Sequence, residues 1–495
     1  MNFRMLLFLA AWAGVAAAQT RESVTVNVVD VPVYVTLNNQ PVRNLTREDF
    51  TLLVNGRKQP IDYFDTIDFA DAGAPSADRR ERRLFLLMFD LAFTKPLALD
   101  RARRAAMAMI EHAPPSDYFA VATFTPQRGA QFIVPFTNDH AVATHAALTL
   151  SASEAHDPLS LAVSPSERAA LVAPVVTVDT RPDDDEFIDQ PMVLTQEALS
   201  IGVTNASMPE KRLIENQLDS FGAIASRLGA LEGYKHVLVF STGFNTDLVY
   251  SNAYTPDARL VESLQKMVKA FHAAGAVIDT IDVGGDRMLG ANEGLAYYAQ
   301  QTGGLFVQHE NNFKTALNRV VTSSAAGYRL GFTVPANAKK GDNTIEVRIR
   351  NLPRGANVSF RRGFSTHINA SSGNDALRIA DILQNDIPQT GLAATLSSSA
   401  GRLRVEVPVL DLVAQFGTRE VDATLMLYIF DEHGAAVRYD AKRLHVTSAA
   451  RANVVVEEPL TLPPGKYVCK VILQAGDSLG FTRADLDVQP PAPPL

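Results

Sequence analysis

Phe240-Ser-Thr-Gly243 follows an apolar run, the position a nucleophilic serine takes at a strand-to-helix turn. Such a turn needs a glycine before the serine, and a His and an acid in the right chain order to take the hydroxyl proton. The leading glycine is missing here and no ordered His and Asp partners follow, so a hydrolase is not supported. H-E-x-x-H and a P-loop lysine are also absent. His112, His140, His145 and His156 lie close in the chain, but His140 and His145 are five apart, off the i,i+4 spacing of one helical face. A shared metal is therefore not expected. Cys469, the single cysteine, excludes an internal disulfide and reads as a small buried apolar side chain. Asp179–Asp189 (DTRPDDDEFID) is dense in carboxylates but lacks the order of a calcium loop, and reads as a solvated surface segment. Asp90 closes the apolar run Leu84–Phe89. A carboxylate there can accept the N–H groups of the next loop and organise a strand-to-helix turn.

These residues sit in a chain of 495 residues, 46% hydrophobic and 20% charged. That is a core-forming composition with length for about three domains. The net charge of −8 argues against a nucleic-acid partner. Arg4, the apolar stretch Met5–Val15 and Ala16-Ala17-Ala18 describe a cleavable signal peptide over 1–18. No later segment approaches the ~20 apolar residues of a membrane-spanning helix. The expectation is a soluble, secreted or periplasmic protein without stable membrane insertion.

Residues 23–66 are strand-like: valines alternate from Val24 to Val35, Thr46 with Asp49 forms a capped turn, and Asn55-Gly56 is a hairpin turn before a return strand over 59–64. From 83 to 324 the pattern changes. Continuous apolar runs, Leu84–Phe89 and His236–Phe240, alternate with helical spacings such as Ile214, Leu218, Phe221, Ile224 and Leu228. This predicts a mostly parallel sheet covered on both faces, carrying an insertion over 151–210. Tyr118–Thr125 and Ala130–Phe136 are close enough to pair as a hairpin. Residues 326–366 return to strands. Neither they nor 23–66 hold enough strands to close a core alone, so the two are expected to pair around the central unit. After a linker at 369–374, short strands with turn signals over 375–488 predict a C-terminal β-sandwich, and 489–495 is a Pro-rich tail.

An ordered set of stretches carries a resemblance: Val42-Arg-Asn-Leu-Thr-Arg-Glu-Asp-Phe50, Leu87-Met-Phe-Asp90, Pro135-Phe-Thr-Asn-Asp139, Glu232 to Gly243, Ile278 to Asp282, Gln301-Thr-Gly-Gly304, Tyr328 to Phe332 and Phe360-Arg-Arg-Gly-Phe364. Over about 23–366 the chain resembles the von Willebrand factor A-related proteins of Acidobacteria. The resemblance implies a Rossmann-like A domain inserted into a β-domain, α/β plus all-β overall. It also implies a site at the carboxyl ends of the central strands. In many members that edge holds Mg²⁺ through D-x-S-x-S, a Thr from a second loop and an Asp after the fourth strand. Carried over, the metal set is Asp90, Thr94 and Thr137. Ala92 stands for the first Ser and brings no ligand atom, Thr242 stands for the Asp, and Asp247 could substitute from the loop although nothing in the spacing demands it. One carboxylate is thin neutralisation for a dication, so the edge reads as degenerate, with no cofactor expected.

The expected function is an exported, non-catalytic protein-interaction module that presents this edge and the insertion to a protein partner. The alternative is a hydrolase or carbohydrate-binding protein using the insertion or the C-terminal sandwich.

Overall fold

A computed structural model of the protein describes residues 28–69, 78–150, 208–244, 257–284, 293–308, 313–334, 340–366, 375–399, 401–418, 420–432, 434–447 and 453–489. The signal peptide 1–18, the linker 369–374, the acidic stretch 179–189, His156, Asp247, all but the end of the 151–210 insertion and the tail from 490 lie outside the described residues.

The first strands are β1 (Val28–Leu37), β2 (Gln40–Pro41), β3 (Phe50–Val54), β4 (Arg57–Gln59) and β5 (Tyr63–Asp68). Alternation in β1 puts Val31, Val33 and Val35 inside. The Asp49 carboxylate accepts the Thr46 N–H at 2.8 Å and fixes the turn into β3. Asn55 and Gly56 both take positive φ, 49° and 75°, and fold β4 back on β3. The expected return strand over 59–64 is not continuous. It breaks around Pro60, and β5 joins a different sheet.

The central unit follows: β6 (Arg83–Asp90), α1 (Pro96–His112), β7 (Asp117–Thr125), β8 (Gly129–Thr137), α2 (His140–Leu148), α3 (Met208–Leu228), β9 (Tyr234–Ser241), α4 (Ala258–Ala274), β10 (Ala276–Asp282), α5 (Glu293–Thr302), β11 (Phe306–Val307) and α6 (Phe313–Ser323). Its sheet runs β11-β10-β9-β6-β7-β8, parallel except for β8. Every residue of β6 is buried, because both faces of the sheet are covered. Leu84, Leu86 and Met88 pack with Phe221, Leu264 and Phe271 on one side. Phe85, Leu87 and Phe89 pack with Ala102, Ala106 and Leu317 on the other. The chain winds outward from β6 to β8, then from β9 to β11, so the strand order reverses between β6 and β9. Their carboxyl ends form the crevice where such sheets bind ligands.

Next come β12 (Ala326–Thr333), β13 (Asp342–Ile349), β14 (Asn357–Phe360) and β15 (Gly363–Ser365). β1 lies between β12 and β14, with Val33 opposite both Tyr328 and Phe360, while β12 also pairs β5 and β13 pairs β3. The segments before and after the central unit thus share two sheets and one core that includes Val33, Leu52, Tyr328, Phe332 and Val347. The central unit rests on this core without side-chain spacing at one point. A Cβ on Gly303 would stand 1.8 Å from the Phe360 carbonyl oxygen.

The rest comprises α7 (Asp375–Asn385), β16 (Thr395–Ser399), β17 (Arg402–Val407), α8 (Val409–Phe416), β18 (Glu420–Asp431), β19 (Ala436–Thr447), β20 (Val454–Pro459), β21 (Gly465–Ala475) and β22 (Ser478–Val488). Sheets β16-β17-β20 and β19-β18-β21-β22 share a core around Leu403, Val405, Leu425, Leu427 and Val471. The strand-only expectation for 375–488 is corrected by the two helices. α7 has two apolar faces. Leu377 and Ala380 enter the core of the central unit, while Ile379, Ile382 and Leu383 pack on Met426, Tyr428 and Ile472. Between these faces Arg82 grips Asp381 in a buried two-pronged ion pair, 3.1 and 2.9 Å.

Candidate functional site

Asp90 lies at the carboxyl end of β6, next to the strand-order reversal, and is fully buried. Its Oδ1 accepts the N–H groups of Ala92 (3.0 Å) and Phe93 (3.1 Å). Its Oδ2 accepts from Gln217 Nε2 (2.9 Å) and from the Ser241 hydroxyl (2.5 Å). A carboxylate offers about four acceptor positions, and all four are taken by protein donors. Burial raises the Asp90 pKa above its ordinary value, and the four hydrogen bonds oppose that rise.

The donors come from three elements. The loop after β6 folds over the carboxylate, Gln217 reaches in from α3, and Ser241 ends β9. Tyr298 of α5 stands behind, its hydroxyl 3.5 Å from Gln217 Oε1. Burial, and then the charge of Asp90, raise the Tyr298 pKa well above its ordinary value. Phe93 and Tyr298 both pack at a tilt against buried Phe244, centroids 6.0 and 6.2 Å away. Gln217 occupies a position on the apolar face of α3 between Ile214 and Phe221, a polar residue at a core register. That anomaly was the available sequence signal for it. Ser241 is buried, and its proton is directed to Asp90, so it is a structural donor rather than a nucleophile.

The sequence-derived metal set does not assemble. Ala92 contributes only its main-chain N–H. The Thr94 hydroxyl is buried without a hydrogen-bond partner among the described residues, so it could accept a new neighbour. Thr242 donates its hydroxyl to the Phe93 carbonyl. Thr137 is at the other end of the sheet. β8 is antiparallel, so Thr137 lies opposite Phe119, whereas Asp90 lies opposite Phe124. Five residues at about 3.3 Å each separate those levels by roughly 16 Å. There the Thr137 hydroxyl accepts the Asp139 N–H at 3.0 Å and helps to start α2. α2 returns toward the Asp90 end and α3 leaves it. An octahedral cation needs about six oxygen ligands. One orphan hydroxyl beside a carboxylate with filled acceptor positions does not fit one.

The remaining candidates are separate from this edge. His112 Nδ1 is 2.8 Å from the Ala108 carbonyl and His140 Nε2 3.1 Å from that of Asp117. Cys469 is buried in the C-terminal core, where burial pushes its thiol up to about 12. Among the described residues no three His, Cys, Asp or Glu side chains gather as a metal site would require.

No family model matches the chain, and no curated protein matches it. Among solved structures, the conserved hypothetical protein BatB from Bacteroides thetaiotaomicron is 14% identical with a TM-score of 0.26, covering 49% of this chain and 96% of its own. A von Willebrand factor type A protein from Catenulispora acidiphila is 10% identical with a TM-score of 0.28, covering 87% and 74%. The ArnB paralog VWA2 from Sulfolobus acidocaldarius is 10% identical with a TM-score of 0.21, covering 94% and 76%. At these levels the superpositions assign neither a family nor a function.

Proposed function

We propose that the chain is an exported, non-catalytic protein-interaction module. It is built on a von Willebrand factor A-like unit whose adhesion edge works without a metal. The observation that supports this reading is the saturation of Asp90: Ala92, Phe93, Gln217 and Ser241 occupy the positions a cation's shell would need. The proposed partner is a protein, bound at the carboxyl edge of β6 and β9 by contacts that need no bridging ion. Scaffolds of this kind place recognition on the loops around a rigid sheet. The test is capture from an envelope extract with the chain as bait, in Mg²⁺ and in EDTA. The same partner should be retained equally in both, and lost when bulky substitutions are placed in the loop at Leu91–Phe93. A partner released by EDTA would refute the reading.

A further inference from the structure

The opposite end of the central sheet faces β1 and the segment after β14, and a cavity of about 240 Å³ lies between them. Its lining includes Tyr34, Lys235, His236 and Arg361. Lys235 is buried, and its ammonium donates to the Leu231 carbonyl at 2.6 Å. Arg361 donates to the carbonyls of Gly363 (3.0 Å), Asp30 (3.2 Å) and His272 (2.8 Å). Every acceptor is main chain. Neither cation has a carboxylate oxygen within 4.0 Å among the described residues. The carbonyl ends of α3 and α4 offset part of the charge, about half a unit each at most.

The acids at the rim are otherwise placed. Glu232 is half exposed and faces Arg79 at 3.5 Å, and Asp30 is exposed. Arg80, also at the rim, is held by Asp78. Burial, and after it the neighbouring Arg361, bring the Lys235 ammonium down to about 7; Glu232 opposes this only in part, as Asp30 does for Arg361. Two further groups have spare capacity. His236 Nδ1 is 2.8 Å from Asp279 Oδ2, and its Nε2 makes no hydrogen bond among the described residues. Tyr34 is buried against the His236 ring, and its hydroxyl has no hydrogen-bond partner among the described residues. Buried polar groups are normally paired, and a buried cation without a counter-charge is costly.

We propose that this cleft binds a small oxyanion, the carboxylate or phosphate group of a low-molecular-weight ligand. Lys235 and Arg361 supply its counter-charge. Charge-assisted hydrogen bonds to an oxyanion would use the donors these side chains leave unspent. The site is independent of the Asp90 edge.

The test is calorimetric titration of the full chain with inorganic phosphate and with acetate, at constant ionic strength in chloride. Saturable binding of either is expected, and the stronger of the two identifies the group recognised. Lys235→Met should weaken it at least about tenfold while leaving the unfolding temperature equal or higher, since a buried charge is removed. Tyr34→Phe, which keeps the ring contact with His236, should leave it unchanged. Absence of saturable binding of both anions up to about 50 mM, weaker than any specific site, would overturn the proposal. So would affinity unchanged in Lys235→Met.

Discussion

Replacing Asp90 separates a hydrogen-bond hub from a metal ligand. Asp90→Ala leaves the N–H groups of Ala92 and Phe93, the Gln217 amide and the Ser241 hydroxyl without their acceptor. An unsatisfied buried donor costs about 1–3 kcal/mol, but neighbours relax and the buried charge disappears, so a net loss of about 2–4 kcal/mol is expected. In a unit of this size that lowers the unfolding temperature by roughly 5–10 °C. Asp90→Asn keeps Oδ1 on the two main-chain N–H groups and turns Nδ2 toward Gln217 and Ser241. Both can answer. The Gln217 amide can flip to present its oxygen, the Ser241 hydroxyl can accept, and the Tyr298 hydroxyl can then accept from the flipped amide. The Asn variant should therefore lose less than about 1 kcal/mol at pH 7. The sign with pH follows from the raised Asp90 pKa. An acid whose pKa is higher folded than unfolded contributes stability below its unfolded value, about 4, and loses it as pH rises through the folded value. Wild type should thus gain on Asp90→Asn as pH falls toward 4. Calorimetric unfolding of wild type, Asn and Ala variants between pH 4 and 8, with Mg²⁺ and with EDTA, is the assay. The reasoning fails if Asn is as damaging as Ala, or if Mg²⁺ raises the unfolding temperature of wild type but not of Asn.

Thr94→Val removes a buried hydroxyl that has no hydrogen-bond partner among the described residues; unfolding temperature should stay or rise, by up to about 1 kcal/mol of stability, and a fall would mean the hydroxyl holds a group that matters. Arg83 and Asp117 form a fully buried two-pronged pair, 2.8 and 2.6 Å. Arg83→Met alone should cost about 3–5 kcal/mol in denaturant titration, with most of it recovered when Asp117→Leu is added. His272 links α4 to the Gln301 carbonyl at 2.9 Å, and burial lowers its pKa. A base with a lowered folded pKa contributes stability above its unfolded value and loses it as pH falls. Unfolding temperature should therefore drop from pH 7 to 5, and drop less in His272→Gln.

Much of the central unit was legible because local signals agree with the packing. A strand buried on both faces must read as a continuous apolar run, and Leu84–Phe89 does. Thr46 with Asp49 and Asn55-Gly56 specify their turns by local hydrogen bonds and positive φ, which need no tertiary context. Thr137 was misplaced although its correction was available. The hairpin of β7 and β8, read from the sequence, already carries the end of β8 to the start of β7, away from Asp90. α7 was missed for a different reason. Apolar residues at 377, 379, 380, 382 and 383 span a wide arc of the helix rather than one narrow stripe, because two neighbours bury it. The cleft proposed for an oxyanion left no linear trace, since Lys235 on β9 and Arg361 after β14 meet only where the central unit rests on the first β-sheets.

The double-faced α7 sets how two surfaces of the protein can act together. A unit on a slack tether meets a second contact at an effective concentration diluted by linker length. Here Arg82 holds Asp381 directly before the first residue of the central strand, and Asn385 bonds the Phe136 carbonyl at 2.8 Å. The spacing between the β18–β22 sheet and the central sheet is therefore fixed in advance. A partner that spans both surfaces pays no ordering entropy for the second contact, and one with the wrong span gains nothing from it. For such a partner avidity would be a matter of geometric match, with one helix as the ruler.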